Sequence, residues 1–128
     1  MVHKKNISLI MNLLNLILDD LDRYIELSNF PKISSSDNYI KFKYFISHRY
    51  MPVLLIRLSQ FFYFKKLKLF SKCCTCFNFH LFGLEVSSSS DIGGGLCIPH
   101  PQGVVIGARS IGSNLLIFQN VTIGAKYF

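Results

Sequence analysis

Two titratable residues, His100 and Glu85, have the types and spacing for proton-transfer chemistry. An imidazole with a pKa of about 6.5 can draw the proton off an attacking hydroxyl at neutral pH. A carboxylate beside it would fix the tautomer and stabilise the imidazolium. His100 lies at the one break in a regular beat of aliphatic residues, where a side chain can leave a wall and face a cleft. Glu85 precedes it by 15 residues, close to one turn of a three-sided coil. That spacing can bring the carboxylate near the imidazole. The bland alternatives are a solvated loop histidine and an exposed carboxylate at a junction.

The remaining reactive types carry weaker patterns. Cys73-x-x-Cys76 has metal-knuckle spacing, with His80 and Cys97 as further candidate ligands. A structural zinc site needs four ligands, and no second paired motif exists. The expectation is no metal, with reduced, small, buried thiols near a helix end. Gly93-Gly-Gly95 lacks the following Lys-Ser/Thr of a nucleotide loop and reads as a turn. His3, His48 and His80 read as helix-packing or surface residues. Arg57 sits inside an apolar stripe, where it must snorkel or pair with an acid.

The beat itself identifies the element that positions His100. Val86, Ile92 and Ile98 are six apart, and so are Val105, Ile111, Ile117 and Ile123. One extra residue separates the two series, within Ile98-Pro-His-Pro-Gln-Gly-Val-Val105. A period of six fits neither a helix nor a simple hairpin. It is the signature of hexapeptide repeats stacked as a parallel β-helix. The position after the aliphatic is often glycine (Gly93, Gly112, Gly124), which suits a tight corner. The position two before it is small or apolar: Ser90, Leu96, Leu115, Val121. Residues 83–128 then form two to three turns, and no capping element follows.

Ahead of the repeats, residues 1–82 read as helical. Ser8 is the expected N-cap of a helix of about 20 residues, with Leu9, Leu13, Leu16, Ile17, Leu21, Tyr24 and Ile25 as its apolar stripe. Asn29-Phe-Pro31 ends it, and 32–38 form a loop. Tyr39–Tyr50 reads as a second helix. A third starts at Pro52 and runs to about Phe70, with Val53, Leu54, Ile56, Leu58 and Phe61 inward. A short fourth covers Cys73–Phe82, and Gly83 breaks it. Lys65-Lys66-Leu-Lys68 reads as the solvated face of a helix. The expected class is therefore α+β: helices over 1–82, then a parallel β-helix over 83–128.

Composition sets limits. Half of the 128 residues are hydrophobic, so the chain can bury a core and is no disordered tail. Its formal charge is +7, and twelve of the fourteen basic residues lie at or before Lys72. No apolar run reaches the roughly 20 residues of a membrane span. The N-terminal stretch lacks a signal-peptide cleavage site, so cytoplasm is expected. The aromatics fall on apolar helix faces rather than a strand platform, which argues against RNA binding. Peripheral membrane contact by the basic helices stays open.

A family resemblance follows from particular residues. Phe82-Gly-Leu-Glu-Val86, Asp91-Ile-Gly-Gly-Gly95, Ile98-Pro-His100, Gly103-Val-Val-Ile-Gly107 and Gln119-Asn-Val-Thr-Ile-Gly124 resemble the bacterial serine O-acetyltransferases. Leu18-Asp-Asp-Leu-Asp-Arg-Tyr24 and Pro52-Val-Leu-Leu-Ile-Arg-Leu58 resemble the helical segment of the subgroup found in polysaccharide gene clusters. The resemblance implies a left-handed β-helix and acetyl transfer from acetyl-CoA to the L-serine hydroxyl, in cysteine biosynthesis. It implies His100 as base, Glu85 as its acidic partner, no metal, and a homotrimer or a dimer of trimers. Pro99 stands where many members carry Asp. The resemblance places the coenzyme A groove on later coils, beyond Phe128, so the chain as written is expected to be weakly active or inactive. A surface-polysaccharide sugar as acceptor remains an alternative. So does a non-catalytic oligomerisation or membrane-associated module.

Overall fold

A computed structural model describes residues 2–28 and 38–124. Helix α1 spans Val2–Leu27. It starts upstream of the expected cap, and Ser8 lies inside it. No proline or glycine stands between Val2 and Ser8 to stop the helix there. Its stripe is inward as expected: Leu21 and Tyr24 are buried, and Ile17 and Ile25 pack against the core. The stop signal at Asn29-Phe-Pro31 and residues 32–37 of the expected loop lie outside the described residues, while Asn38, the last residue of that loop, instead opens a helix.

Helix α2 is Asn38–Phe45, shorter than the expected Tyr39–Tyr50. A turn replaces its last part, because Ser47 offers both its carbonyl and its hydroxyl to the Tyr50 N–H. Such local side-chain bonds compete with helix continuation. Helix α3, Met51–Phe64, has Pro52 in its first turn. It ends six residues before the expected Phe70. Lys66 adopts a left-handed conformation at φ 61. The Leu67 N–H bonds back to the Phe62 carbonyl and the Lys66 N–H to that of Tyr63. This is a Schellman cap built on lysine where glycine would be usual. The lysine run is thus a turn between helices, not a helix face.

Helix α4 runs Lys68–Phe82 and ends at Gly83, left-handed at φ 64. It folds back on α3 through small polar contacts. The Ser71 hydroxyl donates to the Ser59 carbonyl at 2.8 Å, and the Asn78 amide to the Pro52 carbonyl at 3.0 Å. Cys74 is buried here, but Cys73 and Cys76 are exposed, contrary to the expectation of buried thiols.

The C-terminal third coils through three parallel stacks. Strands β1 (Leu84–Val86), β3 (Val104–Ile106) and β5 (Thr122–Ile123) form one sheet in the order β1-β3-β5. Strands β2 (Asp91–Ile92) and β4 (Ser110–Ile111) form a second, and Cys97 bridges Leu116 in parallel on a third face. Val86 stacks on Ile106 and Ile106 on Ile123, while Ile92 stacks on Ile111. One detail corrects the sequence reading. Ile106, not Val105, is the inward residue of the second series. Val104 and Ile106 are buried, and Val105 between them turns outward beside Glu85, as alternate strand residues must.

Two corners carry matched left-handed residues. Gly95 at φ 78 lies against Asn114 at φ 63, and Gly103 at φ 69 against Asn120 at φ 59. A Cβ on either glycine would strike the asparagine side-chain oxygen of the next coil. Glycine is needed there for space as well as for its torsion.

One continuous core joins helices to coil: Leu21, Tyr24, Tyr50, Val53 and Ile56 pack with Leu84, Ile92, Leu96, Ile98 and Ile106. Burying each such side chain favours folding by about 1.5–3 kcal/mol.

Candidate active site on the coil

His100 sits in the connection between the Ile98 corner and β3, with a proline on each side. The connection is pinned at its far end. Val104 N–H donates to the Pro101 carbonyl, and Gly103 N–H to the Gly83 carbonyl at 2.9 Å. The imidazole is exposed, and its ring stacks on Phe118 of the next coil, with centroids 6.5 Å apart and planes inclined by 28°. An imidazole open to solvent on one face and stacked on an aromatic ring on the other is placed to meet a docked hydroxyl.

Glu85 is placed differently. It is the outward residue of β1, and its register partner is Val105, five residues beyond His100. The coil takes 20 residues between these partners, more than the 15 that separate Glu85 from His100. No hydrogen bond or ion pair joins Glu85 to His100 among the described residues. Glu85 instead lines a cavity of about 610 Å³ with Leu69, Cys73, Cys76, Phe79 and His80 of α4. In that cavity His80 Nδ1 lies 2.9 Å from the Cys76 carbonyl and 3.4 Å from its Sγ. No three His, Cys, Asp or Glu side chains cluster as a metal site among the described residues.

A buried ionic clasp joins the helices to the coil at Ile92, Gly93 and Leu96. Arg57, from α3, donates through Nε and Nη2 to both oxygens of Asp20 in α1, at 2.7 and 2.9 Å. Its Nη1 donates to the Ile92 carbonyl at 2.6 Å, and its Nη2 also to the Gly93 carbonyl at 2.7 Å. The Leu96 N–H completes the set on Asp20 at 2.8 Å. Both residues are almost wholly inaccessible, at 1% and 0%. Burial pushes the Asp20 carboxyl above its usual range, against the pull of Arg57 and of the backbone donors. Of the two expectations for Arg57, snorkelling or pairing with an acid, the second holds, and the acid is Asp20. A signal existed, because Asp20 lies on the apolar stripe, three residues after Ile17 and four before Tyr24.

Beside Pro99, a second cavity of about 450 Å³ is lined by Tyr24, Tyr44, His48, Arg49 and Cys97. The Tyr24 phenol hydrogen-bonds with Arg49, while burial holds its pKa above the usual value. Burial also pushes the Cys97 thiol up to about 11, so it is no nucleophile at neutral pH. Neither cavity includes His100.

Against known proteins, no family model matches the sequence, and neither does any curated protein. Solved structures do match. Serine acetyltransferase from Neisseria gonorrhoeae superposes with a TM-score of 0.66 at 18% identity, over 87% of this chain and 41% of that one. The same enzyme in complex with serine gives 0.71 at 18% identity, over 92% and 47%. Isoform 3 from Entamoeba histolytica, in complex with cysteine, gives 0.70 at 21% identity, over 94% and 42%. The fold is that of the serine acetyltransferases. The chain spans less than half the length of these serine acetyltransferases.

Proposed function

We propose that the chain carries part of the active site of an acetyl-CoA-dependent O-acetyltransferase of the serine acetyltransferase family, with His100 as general base. The observation that carries this reading is the serine acetyltransferase fold at TM-scores of 0.66 to 0.71, combined with a histidine at the one break in the aliphatic beat. In the proposed step, His100 takes the proton of the acceptor hydroxyl as its oxygen attacks the thioester carbonyl. The carbon–sulfur bond then breaks, and the imidazolium returns its proton to the departing thiolate. Such a positioned base contributes about 10²–10⁴-fold.

L-serine is the proposed acceptor, and the serine complex of the gonococcal enzyme supports it. Glu85 is proposed as the carboxylate that orients His100, on its sequence pattern and the family resemblance. The hexapeptide beat and the resemblance favour a left-handed coil over 83–128, preceded by an α-helical N-terminal domain over 1–82. They also favour assembly as a homotrimer or a dimer of trimers, in the cytoplasm. No helix of the described residues is long and apolar enough to cross a membrane.

The test is coenzyme A release from acetyl-CoA by purified chain, with L-serine or a sugar as acceptor, beside His100→Ala. Serine-dependent turnover that falls at least a hundredfold in the variant supports the proposal. Equal turnover in the variant removes His100 as base. Turnover with sugar alone moves the acceptor. A folded wild type without turnover overturns activity for this chain and favours a non-catalytic module.

A further inference from the structure

The turn between α3 and α4 carries a basic and apolar surface whose edge, at Leu69 and Lys72, borders the Glu85 cavity. No acidic residue occurs between Asp37 and Glu85, and Lys65, Lys66, Lys68 and Lys72 cluster at this turn. Large apolar side chains stand among the lysines and face solvent: Phe64 is 55% exposed, Leu67 45%, Leu69 73% and Phe70 56%. They are not loose. The Schellman cap at Lys66 fixes the turn, the Phe62 and Phe70 rings meet at 5.5 Å, and Lys65 lies over the Phe61 ring. The fold thus holds apolar side chains out into water among cations. Scattered exposed apolar residues are ordinary, but a contiguous set with a charged rim marks an interaction site.

We propose that this turn docks on an anionic phospholipid surface. Phe64, Leu67, Leu69 and Phe70 would enter the interface between headgroups and acyl chains, while Lys66, Lys68 and Lys72 lie among the phosphates. Charge complementarity selects this occupant. A second copy docking turn to turn would set lysine against lysine, in a chain with a formal charge of +7. A nucleic acid would satisfy the lysines and leave Leu67 and Leu69 in water. The attachment is peripheral, since no described helix can span a bilayer. The proposal is independent of the catalytic reading.

The test is co-sedimentation of the full chain with phosphatidylglycerol-containing vesicles and with pure phosphatidylcholine vesicles, at low and high salt. Binding is expected to the anionic vesicles only, and to weaken with salt as the surface charge is screened. Lys66→Gln and Lys68→Gln should each lower partitioning about fivefold. Leu69→Ser with Phe70→Ser should lower it further while leaving helix content by circular dichroism unchanged, because both side chains are exposed. Absence of binding by folded protein overturns the proposal, as does equal binding to neutral vesicles. It also fails if the serine variants turn an oligomer into a monomer, or if an oligonucleotide binds and vesicles do not.

Discussion

Asp20 and Arg57 meet in a two-pronged, fully buried ion pair that also grips the coil through Ile92, Gly93 and Leu96. The pair joins α1 to α3 and both to the backbone around β2. Its groups are satisfied from several directions, as a buried charge requires.

Removing one partner should therefore cost far more than removing both. Arg57→Met strands the Asp20 carboxylate in the core and leaves two coil carbonyls without their donor. Asp20→Leu strands the guanidinium. Each single change is expected to lower unfolding free energy by about 3–5 kcal/mol. The double variant should lose clearly less than the sum. Urea denaturation of the four proteins checks this. Additive losses would mean that the pair is not coupled.

Cys97 sets a second expectation, at alkaline pH. Its thiol is pushed up to about 11 by burial, against about 8.5 for an unfolded cysteine. The folded state thus favours the protonated thiol. That contribution is fully present below about pH 8.5 and is lost as pH rises through 11. The Tyr24 and Tyr50 phenols, raised by burial, act in the same direction. Denaturant unfolding should show stability falling over this window, and Cys97→Ala should fall less steeply. At pH 8, a thiol reagent should modify exposed Cys73 and Cys76 quickly and reach Cys74 and Cys97 only on unfolding. Four equally fast thiols would contradict the burial of Cys97.

Much of this architecture is legible in the sequence, and the gaps have physical causes. The first turn of α3 at Pro52 and the break at Gly83 are local signals, and each falls where expected. The Ile106 register is not local. Val104-Val-Ile106 offers three aliphatic residues in a row, and a slip of one residue exchanges the faces. Only pairing with Leu84 and Val86 chooses between them. The end of α3 is hidden because lysine is a good helix former and gives no warning of a left-handed cap. Asp20 and Arg57 are 37 residues apart, so a stripe analysis of either helix can flag one partner but not join them.

Glu85 and His100 give the last expectation, and it turns on orientation. The His100 ring rests on Phe118, while Glu85 faces α4 and has no bond to it. If Glu85 orients the base during acetyl transfer, it must approach the imidazole when substrate is bound. A carboxylate there favours the imidazolium and raises the pH at which the base becomes free. Glu85→Gln is then expected to lower kcat at least tenfold and to shift the rising limb of the pH–rate profile downward, with little change in KM. Glu85→Asp should restore part of the rate. A structural role alone would lower stability without moving the limb. If the profile and kcat are unchanged, Glu85 belongs to the α4 cavity, and the Phe118 ring is what positions His100. In that case Phe118→Ala should lower kcat.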